Sequence, residues 1–300
     1  MAAKKAGTRA YTVVGLALLA VLAGAGVVVH RPDVTVLLRT VPLGISWTGS
    51  VVSPNAIAMA EEMDHVFVVD GNNGTVLMLD ARSGRVLRTE TVTSSPSTIV
   101  ADGRVGRFYV VDDQNPDVSV LDARSGRLLN TVTLSDPVLA YQSIGAPVVD
   151  ARTDRVFVTR YGGAGGKGYV DVLDARTGTL LRAVPVGKFT VAAVLDERTG
   201  RLFALNQEHR DSRCACFPVG SGSVSVLDAR DGRVLRTIAV GTAPGAATVD
   251  VATNRVFVVN QPQAGNGSVS VLDAVSGRVL RTTPLGRSPG RPPRRLRARP

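Results

Sequence analysis

The chain has 300 residues, of which 44% are apolar, 20% are charged and 4% are aromatic. An apolar content of this size can fill a folded core, which excludes wholesale disorder. The two cysteines are too few for a disulfide framework or for a structural zinc site with four cysteine ligands. The single tryptophan and the few other aromatic residues argue against a surface on which nucleic acid bases stack.

The formal net charge of +10 is concentrated at the two ends of the chain. Residues 1–29 carry +3 and residues 287–300 carry +6, in both cases without an acidic residue, which leaves +1 for residues 30–286. A nucleic-acid-binding domain usually carries a basic face. The nearly neutral body therefore argues against nucleic acid as its partner.

The amino terminus predicts export from the cytoplasm. A basic segment, residues 1–10, precedes an uncharged and apolar run at residues 11–29. As a helix, this run is either a transmembrane anchor or the apolar part of a signal peptide cleaved near residues 23–25. The first alternative predicts a single-pass protein of the cell membrane, attached through this helix, and the second predicts a secreted protein. In both cases the body is extracytoplasmic.

One sequence pattern recurs five times after the apolar run. It reads LDARSGRVLRT at residues 79–89, and its other copies begin at residues 121, 173, 227 and 272. A run rich in β-branched residues precedes each copy, as in VFVVD at residues 66–70, and a further short apolar run precedes that one. Each unit therefore predicts four short antiparallel strands, a to d. Units of this kind, about 40–50 residues long, are typical of propeller blades.

The repeats predict an all-β fold after the N-terminal helix. Residues 34–286 are expected to form a β-propeller of five four-stranded blades, or an incomplete version of a six- or seven-bladed one. LRTVPLG at residues 38–44 resembles LRTTPLG at residues 280–286, so Val34–Val41 is expected to be an unpaired or peripheral extra strand. The Arg/Pro-rich residues 287–300 are predicted to be disordered. An open arrangement would expose blade faces and favour self-association.

A recurring aspartate ends the third strand of every unit. Its carboxylate can accept backbone N–H bonds in an Asx-type turn, and the glycine four residues later can adopt a positive φ. An active site needs its carboxylate in one place, whereas this residue occurs in all units, so we assign it to the scaffold and not to catalysis or calcium binding. These structural turn residues are Asp80, Asp122, Asp174, Asp228 and Asp273.

The repeat resembles a known family. VGTAPGAATVDVATNRVFVVN at residues 240–260, followed by GSVSVLDAVSGRVLRT at residues 267–282, is similar to the YVTN-type (YncE-like) β-propeller repeat. The resemblance covers about residues 34–290 and implies an extracytoplasmic propeller with a binding role and no shared catalytic motif. Similar propellers occur in quinoprotein dehydrogenases and some lyases, but no residue set in the chain matches either chemistry. We predict no cofactor and no metal.

The connections between strands b and c differ among the units and mark the expected binding surface. They are longest in units three to five, at residues 161–169, 207–222 and 261–267. They share one end of the blades, the loop face, with the d–a connections, whereas the a–b and c–d turns form the turn face. Insertions on one face of a repeat often mark its binding surface, and solvent-exposed loop variation without a ligand is the alternative. The candidate ligand-binding residues are Tyr141, Tyr161, Lys167, Tyr169, His209, Arg210 and Arg213.

The longest of these loops holds both cysteines, Cys214 and Cys216. In an exported protein, a disulfide between them or to another molecule is the simplest prediction. Free thiols are the second alternative. Metal binding together with His209 is the third, because three donors in one loop are a weak signal.

Two functions are compatible with these features. The first is a non-catalytic binding or scaffold module that engages a protein, an envelope polymer or a small ligand through the loop face. The second is a propeller enzyme, a quinone-cofactor oxidoreductase or a lyase, with an active site at the propeller axis. Catalysis there needs unrepeated carboxylates, histidines or a metal that converge. None of the three histidines falls in a predicted inner strand, so we favour the binding module.

Overall fold

A computed structural model describes residues 26–31, 34–40, 54–60, 63–134, 142–162, 165–208, 221–261 and 266–285. The chain divides into two units, residues 1–44 and residues 45–300. The described part of the first unit is a hairpin in which β1 (Gly26–Arg31) pairs antiparallel with β2 (Val34–Thr40).

This hairpin differs from two predictions. Residues 26–29, predicted as the end of the apolar helix, lie in β1, where three consecutive valines favour an extended backbone. The strand predicted at Val34–Val41 as unpaired or peripheral is found as β2, and its pairing with β1 contradicts the first of these two alternatives. Residues 1–25 and 286–300 lie outside the described residues. Within the described residues, no helix has the length and apolar character needed to cross a membrane.

The described residues of the second unit form five antiparallel sheets, here called blades one to five. Blade one consists of β3 (Pro54–Ala60), β4 (His65–Asp70), β5 (Thr75–Asp80) and β6 (Val86–Thr91). Blade two consists of β7 (Pro96–Asp102), β8 (Arg107–Asp112), β9 (Asp117–Asp122) and β10 (Leu128–Thr133). The predicted order a-b-c-d across each sheet is confirmed.

The remaining blades follow the same plan. Blade three consists of β11 (Gln142–Ile144), β12 (Val148–Asp150), β13 (Arg155–Gly162), β14 (Lys167–Asp174) and β15 (Leu180–Lys188). Blade four consists of β16 (Thr190–Asp196), β17 (Arg201–Asn206), β18 (Ser223–Asp228) and β19 (Val234–Ala239). Blade five consists of β20 (Pro244–Asp250), β21 (Arg255–Asn260), β22 (Ser268–Asp273) and β23 (Val279–Pro284).

Blade three departs from this plan at strand position a, which two short strands share. Both β11 and β12 pair with β13, and residues 145–147 separate them. The break contains Pro147, which has no backbone N–H to donate to a ladder. The five predicted four-stranded blades are therefore observed, with one inner strand divided.

The hydrophobic core lies between consecutive blades. Strands b are buried along almost their whole length in blades one to four, which explains why their sequences are continuous apolar runs. Between blades one and two, the ring centroids of Phe67 and Phe108 lie 4.0 Å apart. Between blades two and three, the buried Tyr109 hydroxyl donates a hydrogen bond to the Ala175 carbonyl. Among the described residues, no comparable packing joins blade five to blade one.

The turn face has the same construction in every blade. The aspartate that ends strand c accepts a backbone N–H bond, for example from Ser125 to Asp122 at 2.9 Å. The hydroxyl and the backbone N–H of Ser83 hold the pKa of Asp80 below its ordinary value. The glycine four residues after each of these aspartates has a φ between 67° and 73°. Turn geometry therefore accounts for both repeated residues.

Candidate functional site

The structure places three of the sequence-predicted ligand-binding residues at one end of blade three, with Lys167 and Tyr169 on one face of the sheet and Tyr161 on the other. Tyr161 lies near the end of β13, and Lys167 and Tyr169 lie at the start of β14. The other candidates lie outside the described residues, as do both cysteines: Tyr141, His209, Arg210, Arg213, Cys214 and Cys216.

The segment from Tyr161 to Tyr169 is not the long loop that the spacing between strands b and c predicted. Tyr161 pairs with Gly168, and Gly162 pairs with Lys167, so the strands continue and only residues 163–166 connect them. The predicted bounds of the loop were wrong because the cross-strand ladder continues as far as the pair Gly162–Lys167. The candidate side chains are therefore mounted on a sheet, which fixes their positions more firmly than a loop would.

A buried ion pair lies directly beneath this end of the hairpin. The Arg160 side chain is 5% exposed and that of Asp171 is 0% exposed. The guanidinium contacts both carboxylate oxygens, through Nε and, at 3.2 Å, through Nη2. Burial raises the pKa of Asp171 to about 6, although the hydrogen bond and charge of Arg160 act to lower it. An acid so enclosed has no access to a substrate, which makes it a positioning group.

Tyr169 extends this cluster towards the surface. Its ring lies 4.4 Å from the guanidinium carbon of Arg160, a distance at which a cation is attracted by the face of an aromatic ring. Arg160 and Tyr169 are register partners on β13 and β14, so both project from the same side of the sheet. The half-buried Tyr169 thus rests on a fixed positive charge.

Blades four and five carry neutral groups where blade three carries this ion pair. In blade four, Asn206 donates from Nδ2 to the hydroxyls of Ser223 and Ser225, each at 3.0 Å. In blade five, Asn260 makes the same two bonds to Ser268 and Ser270. Counted from the aspartate that ends strand c, Asp171 takes the place of Ser225 and Ser270. The ion pair is thus specific to blade three.

The neighbouring loop of blade four is anchored beside this cluster. Thr190 donates its hydroxyl hydrogen to Oδ1 of Asn206 at 2.8 Å. The Ser223 hydroxyl donates to Oε1 of Glu208 at 2.9 Å, and the backbone N–H of Lys188 donates to the same oxygen at 3.4 Å. Glu208 is the last described residue before the segment 209–220. The root of the longest b–c connection is therefore fixed next to the last residue of β15.

A second pair of basic residues completes the arrangement. The register of β14 and β15 places Lys188 directly opposite Lys167, and both side chains are exposed. Just beyond, the rings of Tyr161 and Phe189 lie 5.4 Å apart. One face of the loop end of blade three therefore presents two lysines and the half-buried Tyr169 beside a neutralised charge pair, a surface suited to an anionic group, whereas Tyr161 and Phe189 pack on the opposite face.

Comparison with known proteins adds a family. Residues 44–217, more than half of the chain, match the family model described as outer membrane protein assembly factor BamB. The chain belongs to this family. No curated protein sequence matches the chain.

Solved structures similar to this BamB-family chain share its fold at low sequence identity. BamB from Moraxella catarrhalis is 16% identical with a TM-score of 0.56, over 77% of this chain and 65% of that one. Hydrazine synthase from Kuenenia stuttgartiensis is 16% identical with a TM-score of 0.59, over 75% and 64%. Quinohemoprotein alcohol dehydrogenase ADHIIG from Pseudomonas putida HK5 is 17% identical with a TM-score of 0.52, over 74% and 40%. These similarities identify the blades as those of a β-propeller. This chain spans slightly less than two thirds of the length of the first two structures.

Sequence reasoning missed three residues of the site in this BamB-family chain: Arg160, Asp171 and Lys188. The signal that reveals them is alignment of the blades with one another. Arg160 stands where the other strands b end in Asp or Asn, and Asp171 stands where other strands c carry Ser or Leu. Within the described residues, no group of three or more His, Cys, Asp or Glu side chains is placed to hold a metal ion.

Proposed function

We propose that the protein is a non-catalytic binding or scaffold module of the cell envelope that engages its partner through the loop face. Membership of the BamB family supports a role in protein interaction. The observation that carries the proposal is the clustering of unrepeated basic and aromatic residues at the loop end of blade three, beside the root of the longest b–c connection. Residues that only maintain the blade framework need no such departure from the repeat, whereas residues that recognise a partner do.

Two finer points belong to the same proposal. The repeat is of the YVTN type (YncE-like), as its copies in blades four and five indicate. The body lies outside the cytoplasm, exported by the segment at residues 11–29, which acts as an anchor or as a cleaved signal. Protease added to cells with a permeabilised outer envelope and an intact cytoplasmic membrane is then expected to digest the body, whereas full protection until the cytoplasmic membrane is opened would refute export.

The proposed partner surface can be tested by photo-crosslinking with the full chain in its own cells. A photoreactive p-benzoylphenylalanine is introduced at Lys167 or Ser221, which are exposed on the loop face of blades three and four. Matched controls carry it at Arg124 or Arg230, which are exposed on the turn face of blades two and four. We expect discrete adducts from the first two positions only. Adducts of equal yield from the turn face would overturn the assignment of the binding surface.

A propeller enzyme with an axial active site, quinoprotein-like or a lyase, is the second candidate. The structural similarity to a quinohemoprotein alcohol dehydrogenase favours it. The full chain is incubated with a quinone cofactor and primary alcohols, and reduction of a dye is recorded. Saturable cofactor binding with alcohol-dependent turnover would support an oxidoreductase. Absence of both would leave the binding module as the better proposal.

A further inference from the structure

The basic residues of the chain are distributed very unevenly between arginine and lysine. Lysine and arginine together number 35, and only four of these are lysine. Lys4 and Lys5 lie in the N-terminal basic segment, so the whole remainder of the chain contains only Lys167 and Lys188. The structure makes these two residues register partners on β14 and β15. The lysines of the propeller thus occur as a single pair.

Register partners on antiparallel strands project from the same side of the sheet, with Cβ atoms about 5 Å apart. Two ammonium groups on flexible stems of this kind can reach the same ligand. No other unit has two basic residues at the equivalent sequence positions, which are Asn73 and Ser94, Asn115 and Asp136, Ser221 and Thr242, and Asn266 and Arg287. The lysine pair therefore has no counterpart that would assign it to the blade scaffold.

The two positive charges lack compensation within the described residues. Both side chains are exposed, and no described carboxylate lies within 4.0 Å of either ammonium group. Glu208 is nearby, but its carboxylate accepts hydrogen bonds from the Ser223 hydroxyl and from the Lys188 backbone N–H. Like charges placed directly opposite each other destabilise a sheet. An anion bound between them would remove this repulsion.

The backbone beneath the lysines is held firmly in place. The Phe189 N–H donates to the Gly166 carbonyl at 2.7 Å, which ties the end of β15 to the start of β14. The Phe189 ring lies so close to Gly166 that any β-carbon at residue 166 would collide with it. The ring of Tyr161 also packs against Phe189, with 5.4 Å between the ring centroids. The pair is thus mounted on a fixed platform, which lowers the entropy lost when a ligand binds.

The choice of lysine indicates the chemistry of the ligand. Arginine, which this chain uses nearly everywhere else, binds carboxylates and phosphates in a fixed geometry through two parallel N–H donors. Lysine acts as a compact point charge with three rotatable donors, which suits a tetrahedral oxyanion approached from any direction. Two adjacent ammonium groups best match a group with two negative charges. A phosphate fulfils both conditions.

We propose that Lys167 and Lys188 form a binding site for a phosphate group, either free or carried on a phosphate chain. The site lies on the loop face, which the proposed function uses as its partner surface. This inference depends on the proposed function only for that location. Each ammonium contributes N–H donors to phosphate oxygens, and the neutralised Arg160–Asp171 pair beneath adds no net charge.

The site is tested by calorimetric titration of the purified full chain in mild detergent, at constant ionic strength. Inorganic phosphate and tripolyphosphate serve as the two probes. We expect saturable binding of one equivalent, and an affinity at least about tenfold lower in the double variant Lys167→Ala/Lys188→Ala, equivalent to about 1.4 kcal/mol. Binding of both probes identifies a single phosphate group as the ligand, whereas binding of tripolyphosphate alone identifies a phosphate chain.

Two further variants keep the test decisive. Arg124→Ala/Arg230→Ala removes two exposed positive charges from the turn face and is expected to bind as the wild type does. Lys167→Arg/Lys188→Arg keeps the charge and is expected to recover part of the affinity, which separates loss of binding from loss of folding. Absence of saturable binding, or equal weakening in the turn-face variant, would overturn the site. If phosphate does not bind but the loop-face crosslinks are observed, only the phosphate site is refuted. If phosphate binds but no loop-face crosslinks are observed, only the proposed partner surface is refuted.

Discussion

The two ends of blade three follow opposite rules. At the turn face, Asp174 and Gly178 reproduce the geometry found in the other blades, with a backbone N–H bond from Thr177 at 2.9 Å and a positive φ at the glycine. At the loop face, Arg160 and Asp171 replace the neutral asparagine and serine groups of blades four and five. The repeated end maintains the backbone, whereas the divergent end carries charges that the fold does not need.

Blades four and five show that the fold does not require the ion pair. Their Asn–Ser networks fill the same position without burying a charge. Replacing a buried ion pair with matched neutral groups is often neutral or stabilising, whereas removing one partner is costly. The presence of Arg160 and Asp171 in blade three is therefore better explained by the surface that they support, Tyr169 and the lysine pair, than by stability.

The largest expected effect comes from separating the two charges. Arg160→Asn leaves the Asp171 carboxylate buried without its counter-charge, and we expect the free energy of unfolding in urea to fall by about 3–5 kcal/mol. The double variant Arg160→Asn/Asp171→Ser copies blade four and is expected to recover most of this loss. A double variant as unstable as the single one would show that blade three depends on the charges.

A substitution at the repeated end should have the next largest effect. Gly178 has a φ of 73°, and a Cβ there would lie 2.6 Å from Cγ2 of Val120 in blade two. We expect Gly178→Ala to lower the free energy of unfolding by about 2–4 kcal/mol, from backbone strain and overpacking together. Gly200 has a φ of 65°, and a Cβ there would have no neighbouring atom within 4 Å, so Gly200→Ala should lose only about 1–2 kcal/mol. Equal losses would show that contact between blades does not constrain this turn.

The charged end should also make the free energy of unfolding depend on pH, with a smaller effect than the two substitutions above. Because burial raises the pKa of Asp171 from 3.8 to about 6, the folded state binds this proton more tightly than the unfolded state does. The stability that this group contributes is fully present below about pH 4 and is lost as the pH rises through 6. Urea unfolding at pH 4.5 and pH 7 should therefore show the wild type losing more stability on this rise than Arg160→Asn/Asp171→Ser does.

The comparison with the double variant is necessary because the turn aspartates act in the opposite direction. Hydrogen bonds from Ser83 lower the pKa of Asp80, so its contribution is lost on acidification. Both proteins share these residues, and their effect cancels in the difference. A difference that is absent or has the opposite sign would contradict the assignment to Asp171.

The smallest expected effect concerns the a–b turn, where Val105 of blade two stands in the place of Thr153 of blade three. The Thr153 hydroxyl donates to Oδ2 of the buried Asp150 at 2.8 Å, whereas Val105 takes this place in blade two and Oδ2 of Asp102 has no partner among the described residues. We expect Thr153→Val to cost about 1–2 kcal/mol and Val105→Thr to gain up to about 1 kcal/mol in urea unfolding. A gain from the first change or a loss from the second would show that the packing of the valine outweighs the hydrogen bond.

Local patterns in the sequence were sufficient for the blades but not for the site. Strands b and c and the turn at Asp80 are recognisable because each is encoded by neighbouring residues and recurs in every unit. The glycine-rich residues 161–169 were predicted to be a long b–c loop, yet the ladder of β13 and β14 extends as far as the pair Gly162–Lys167. Glycine permits an irregular backbone without requiring one, so only the cross-strand pairing could decide.

The sequence by itself determined the all-β repeat and the repeated turn residues of this protein, because turn chemistry and strand patterning act within a few residues. Only the tertiary structure decided which unrepeated side chains meet. Asp171 contacts Arg160 because of the register between β13 and β14. Lys188 lies opposite Lys167 because of the register between β14 and β15, which shifts at two irregularities. Such a shift by one residue moves a side chain to the opposite face of a sheet, so contacts of this kind depend on strand pairing and not on composition.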